Sequence, residues 1–139
     1  MPKLLKFECN KCKYSLRTWH GGVIYATDDD GKRHTCPHPG EAFEIAKVLN
    51  ISESEIMGFP YLRIPNPDLY PLLNERVGVL TDCLCLECLG VFKIDWKVDT
   101  HICPKCASED VIPVDHLGSV KCPKCKEGIM CYIDTGIIS

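Results

Sequence analysis

The chain has 139 residues, 45% of them hydrophobic and 25% charged, with a formal charge of −3. These proportions fit one domain or two very small ones and exclude wholesale disorder. The opening MPKLLKFECNKC is mildly basic without an apolar h-region, and no apolar run approaches the roughly 18 residues of a membrane span; the expectation is a cytoplasmic protein.

In chain order, KFEC, YSLRTW and GGVIYAT predict short strands, and DDDGK at 28–32 predicts a turn with an Asp-Gly signal. GEAFEIAKVLN at 40–50 predicts the best helix of the chain, with Ala42, Ile45, Ala46 and Leu49 on one apolar stripe. Ser52 and Glu55 have capping-box spacing, which predicts a short helical turn over 52–57. GFPYLRIPNPDLYP at 58–71 holds four prolines and reads as an ordered linker or wrapping loop. VGVLT at 77–81 predicts a strand. In 92–96, Phe92, Ile94 and Trp96 alternate with Lys93 and Asp95, the two-residue period of a half-buried strand. DVIPV at 110–114 and MCYID at 130–134 predict the last strands.

Eleven cysteines in so short a chain require an explanation. Eight of them form four Cys-x-x-Cys pairs, at Cys9/Cys12, Cys85/Cys88, Cys103/Cys106 and Cys122/Cys125. Such pairs without an export signal point to metal rather than to a disulfide framework, and an odd count would leave one thiol over.

Cys85, Cys88, Cys103 and Cys106 have what a tetrahedral metal needs. Each tight turn presents two sulfurs, and the 14 intervening residues bring the second turn back against the first. This stretch, CLECLGVFKIDWKVDTHICPKC at 85–106, resembles the zinc-ribbon superfamily. The resemblance covers 85–106 closely and extends to 79–114. It implies a small three-stranded β unit built on four cysteines and one zinc, with iron as the less favoured metal for the same ligands. Leu89 and Ala107 stand where a glycine often follows the second cysteine of a knuckle.

Cys9 and Cys12 lack a nearby Cys-x-x-Cys partner. In HTCPHPGE at 34–41, Cys36, Pro37 and Gly40 match the knuckle pattern Cys-Pro-x-Cys-Gly, with Pro39 in the second cysteine's place. The expected second site is therefore Cys9, Cys12, Cys36 and His38, with His34 the alternative to His38 and His20 a weaker one. Cys122 and Cys125 have no evident second half. Four options stand: Cys83, Cys131 or His116 completes a third site with them; they join Cys9 and Cys12 in place of Cys36 and His38; they compete with Cys85 and Cys88 for Cys103 and Cys106; or they bind no metal. A partial or metal-free pair is the expectation, with two Zn2+ per chain.

The expected fold is a small β-rich α+β chain: two zinc-ribbon-like units of short antiparallel strands, joined by one helical segment and a Pro-rich linker. Its segments are 1–40, 41–57, 58–76 and 77–139. No H-E-x-x-H, deaminase, Walker A or Rossmann pattern occurs, and no thioredoxin-like context surrounds the cysteine pairs. No catalytic residue is named, and the chain is expected not to be an enzyme. Structural zinc then supports an adaptor. Residues 21–139 carry 11 bases against 18 acids, which suits a protein partner. Nucleic acid is the alternative, through Lys3, Lys6, Lys11, Lys13 and Arg17 against Glu8 in residues 1–20, with Trp19 able to stack.

Overall fold

The computed structural model describes residues 3–138. The chain is β-rich and divides into two compact units, Met1–Gly22 with Leu80–Ser139, and Val23–Val79. The division departs from the four consecutive segments expected, because the two ends of the chain pair with each other. We call the first the terminal unit and the second, which interrupts it in sequence, the inserted unit.

The terminal unit has two antiparallel sheets. In the first, β1 (Lys3–Cys9) lies between β2 (Ser15–Trp19) and β8 (Met130–Ile138). Leu5, Phe7 and Cys9 alternate inward along β1, so the two-residue period selects the buried face. The register sets Phe7 opposite Leu16 on one side and Tyr132 on the other, and Cys9 opposite Met130. In the second, β5 (Val77–Cys85) continues into this unit, where β6 (Val91–Ile94) and β7 (Val111–Pro113) pair with it. Leu5, Phe7, Leu84, Val114, Leu117 and Met130 form one core. A fully buried side chain of this kind contributes about 1.5–3 kcal/mol.

The alternation expected over 92–96 stops at Ile94. Asp95 is buried and caps a turn, accepting from the Lys97 N–H at 3.0 Å, while the Asp95 N–H donates to Asp99 at 2.8 Å. Trp96 then stacks on His101 with ring centroids 3.5 Å apart.

The inserted unit holds the hairpin of β3 (Val23–Thr27) and β4 (Arg33–Cys36), then α1 (Glu41–Leu49), α2 (Glu53–Ile56) and α3 (Tyr70–Arg76). α1 follows the expected apolar stripe and buries Ile45 and Ala46. It ends at Asn50, which adopts the left-handed conformation (φ 56) and donates its N–H to Ala46 and Lys47 carbonyls. Ser52 precedes α2 as expected, but its hydroxyl faces Ser54 at 2.8 Å instead of capping the helix. Glu55 receives the Asn66 amide at 3.1 Å.

Residues 58–76, expected as a linker, are part of this unit's core. Ile64 and Leu73 are buried with Ala26, Cys36, Ile45 and Ile56, and Phe59 and Leu69 pack against them. A short 3₁₀ turn at Pro67–Leu69 is capped by the Asn66 side chain and leads directly into α3.

Candidate metal centres

Four Cys-x-x-Cys turns share one construction. At Cys85 the N–H donates forward to the Gly90 carbonyl (2.9 Å), and the Cys85 carbonyl receives the Leu89 N–H (2.9 Å). Cys103 does the same with Ser108 and Ala107, both at 2.9 Å. Cys122 does so with Gly128 (2.8 Å) and Lys126 (3.0 Å), and the Cys9 N–H donates to the Tyr14 carbonyl (2.8 Å). This chain reversal requires a left-handed residue after the second cysteine. Lys13, Leu89, Ala107 and Lys126 all take it, with φ of 67, 63, 62 and 62. The two glycine departures noted in the sequence thus leave the turn geometry intact and place non-glycine residues where glycine is favoured.

The first centre brings together Cys85, Cys88, Cys103 and Cys106, the set expected from spacing. Their sulfurs all lie within 4.8 Å of one another. Cys85 is 3.5 Å from Cys106, and Cys88 is 3.6 Å from Cys103. The second centre brings together Cys9, Cys12, Cys122 and Cys125 within the same limit. There Cys9 is 3.7 Å from Cys125, and Cys12 is 3.7 Å from Cys122. A disulfide needs sulfurs about 2.05 Å apart, and all these thiols are free. Tetrahedral zinc with bonds of about 2.3 Å sets its sulfurs about 3.8 Å apart, so both donor sets fit a metal ion of that size.

The second grouping replaces the expected one. Cys122 and Cys125, expected as a partial or metal-free pair, complete the set of Cys9 and Cys12, because β1 and β8 are neighbours and carry both turns to one end of their sheet. Cys36 ends β4 opposite Ile24, is fully buried in the inserted unit's core, and turns its thiol to the His34 carbonyl at 3.5 Å. His38 sits 3.2 Å from the buried Glu41 carboxylate and edge-on to Tyr61. The alternative, His34, holds Asp28 at 2.7 Å. Among the other thiols considered, Cys83 is buried and bonds to the Thr81 carbonyl (3.5 Å), and Cys131 is exposed. His20 and His116 belong to neither set of four cysteines.

Backbone N–H groups point at the sulfurs and favour thiolate. Lys11 and Cys12 donate to Cys9 (3.3 Å each), Gly128 to Cys125 (3.3 Å), Lys105 to Cys103 (3.4 Å) and Gly90 to Cys88 (3.4 Å). The N–H groups of Glu127 and Gly128 draw Cys125 down to about 6. Burial opposes ionisation of Cys103, yet the N–H groups of Cys106 and Lys105 outweigh it and bring that thiol to about 7. Tyr14 favours the Cys12 thiolate, but burial and three neighbouring sulfurs push it up to about 11. Cys106 is likewise helped by Ser108 and pushed to about 12 by Cys85, burial, Cys88 and Cys103. Four thiolates this close repel one another unless a cation lies among them, and either set of sulfurs could hold a metal ion in that place.

Two supporting residues carry no metal-ligand signal in the sequence. Asn10 ties the two turns of the second centre together, donating its N–H to Ile129 and accepting the Ile129 N–H on its side chain, both at 3.1 Å. Gly128 packs so closely that an added Cβ would run into the Cys9 sulfur and approach Asn10 Oδ1 to 2.9 Å. Gly128 closing three residues after Cys125 is the one hint the sequence offers. In comparisons with known proteins, no family model, no curated protein and no solved structure matches this chain.

Proposed function

We propose that this chain is a zinc-binding interaction module in which two four-thiolate centres hold the terminal unit in shape and the surrounding surfaces meet partners. The observation that carries this reading is the pair of cysteine tetrads, each with opposed sulfurs 3.5–3.7 Å apart. Zinc is favoured because a closed tetrahedron of thiolates is its usual structural site, and the paired turns match what a zinc ribbon requires. When bound, it supplies cross-linking free energy that becomes folding free energy. A four-cysteine shell offers no open position for water or substrate, which supports a structural rather than a catalytic role. Free thiols throughout the described chain suit a reducing compartment such as the cytoplasm.

A protein partner is supported by the inserted unit. It carries 5 bases against 9 acids. Around the turn at Gly58 it exposes Met57 (60%), Tyr61 (65%) and Leu62 (70%). Elemental analysis of the purified protein tests the reading. The expected result is two zinc ions per colourless chain, one lost in Cys103→Ser and one in Cys122→Ser, and both kept in Cys36→Ser and His38→Ala. A coloured, iron-loaded protein, or zinc retained in both serine variants, contradicts it.

A further inference from the structure

The two metal centres differ in the charge around them. Between and beside the cysteines of the second centre stand Lys11, Lys13, Lys121, Lys124 and Lys126, all exposed. The acid among them, Glu127, is held by Lys11 at 2.8 Å. The sequence separates these lysines by more than 100 positions, and only the closing of Cys9 and Cys12 onto Cys122 and Cys125 assembles them. A four-thiolate zinc centre carries about −2, but neutralising it does not account for the lysines. The first centre bears the same thiolates with only Lys105 and Glu87 between its cysteines.

The outer face of β1 and β2 adds further cations and an aromatic ring. Register places Arg17 opposite Lys6 and Trp19 opposite Leu4, on the face away from Leu5, Phe7 and Cys9. Glu8 on that face is engaged by Lys6 at 3.3 Å. Trp19 remains 42% exposed at the far end of the strand. From Ser15, just after the Cys9–Tyr14 turn, to Trp19 is about 13 Å of strand, so the ring lies one strand length from the turn that carries Lys11 and Lys13.

We propose that the lysines around the second metal centre, together with Arg17 and Trp19 on the outer face of β2, bind single-stranded nucleic acid. The lysines and Arg17 take phosphates, and Trp19 stacks a base. A duplex offers the same phosphates but keeps its bases stacked on one another, so Trp19 selects the single strand. The inference rests on the second centre being metal-loaded.

Fluorescence anisotropy of the zinc-loaded 139-residue chain with an oligonucleotide of about 12 nucleotides tests it, a length within the range of about 4–16 nucleotides that single-strand-binding OB folds cover. Binding should weaken with salt at a log–log slope of about −2 to −3.5, as about three to five phosphate contacts require. Lys121→Ala/Lys124→Ala/Lys126→Ala should lose about tenfold or more and flatten that slope by about 2. Trp19→Ala should lose about tenfold with the slope unchanged, and a duplex of the same length should bind more weakly. Zinc content measured on every sample separates the two readings, since a failed metal centre shows there first. Undiminished binding by the triple variant with zinc intact overturns the proposal. So does equal affinity for heparin and single strands with Trp19→Ala unaffected, which would leave bare attraction to polyanions.

Discussion

At the scale of single residues, backbone conformation and close packing matter more around the centres than additional ligands do. Ala107 holds φ 62 in the second turn of the first centre. A left-handed L-residue costs roughly 1–2 kcal/mol that glycine does not, partly offset by glycine's greater freedom when unfolded. Ala107→Gly should therefore raise the metal-loaded protein's stability by about 1 kcal/mol, read as a higher denaturant midpoint at unchanged slope. An unchanged or lower midpoint would show that the turn is not strained. Gly128 makes the opposite case. An added Cβ meets the Cys9 sulfur and the Lys11 Cβ (2.9 Å), both tied into the turn. Gly128→Ala should thus weaken metal at the second centre and leave the first filled. A stoichiometry that stays at two in a competing chelator would show that the turn can yield.

At the scale of elements, the inserted unit joins polar and apolar signals the sequence keeps apart. Glu41, in the first turn of α1, is 5% exposed, receives the Tyr61 hydroxyl at 2.6 Å and faces His38. Burial works to raise its pKa, but the Tyr61 hydroxyl and His38 outweigh that and hold it below the usual glutamate range, while Tyr61 itself is pushed up to about 12. The folded-state pKa is the lower one, so Glu41's contribution is present above the unfolded value and lost as pH falls through the folded one. The stability difference between the native chain and Glu41→Gln should be largest near neutrality and shrink as the pH falls through the acidic range where this carboxylate takes up its proton; thermal melts from neutral to acid pH measure it, and a difference that grows in acid would refute the assignment. The helix itself was legible, because its apolar stripe is local. α3 was not, because Pro65, Pro67 and Pro71 read as a broken linker; yet Pro71 lies in the helix's first turn, where a missing N–H costs nothing. β4 was hidden for a related reason. Pro37 looked like part of a knuckle, but it only ends the strand after Cys36, and that cysteine is committed to an apolar core.

At the scale of the whole chain, the same contrast between local and distant signals decides which centre could be read. Cys85 to Cys106 closes over 21 positions through one hairpin, so spacing alone names its ligands. Cys9 to Cys125 closes over 116 positions, and nothing near either pair announces the other; the pairing follows from β1 lying beside β8. Both centres belong to the terminal unit, as do both tryptophans, Trp19 and Trp96. Among the described residues, α1, α2 and α3 all belong to the inserted unit, and neither cysteine tetrad does. This distribution gives each unit its own optical signal. Removing metal leaves each set of crowded thiols without the cation that cancels their repulsion, and Cys9 and Cys122 carry that repulsion into the core of Leu5, Phe7 and Met130. A strong chelator should therefore shift tryptophan emission to the red and abolish the near-ultraviolet tryptophan signal, while the far-ultraviolet helical signal persists. Restoring zinc should bring the tryptophan signals back. Loss of both signals in a single transition would show that the inserted unit depends on the metal-bound frame around it in the sequence. Loss of neither, with metal demonstrably gone, would show that the terminal unit's apolar core suffices without its centres.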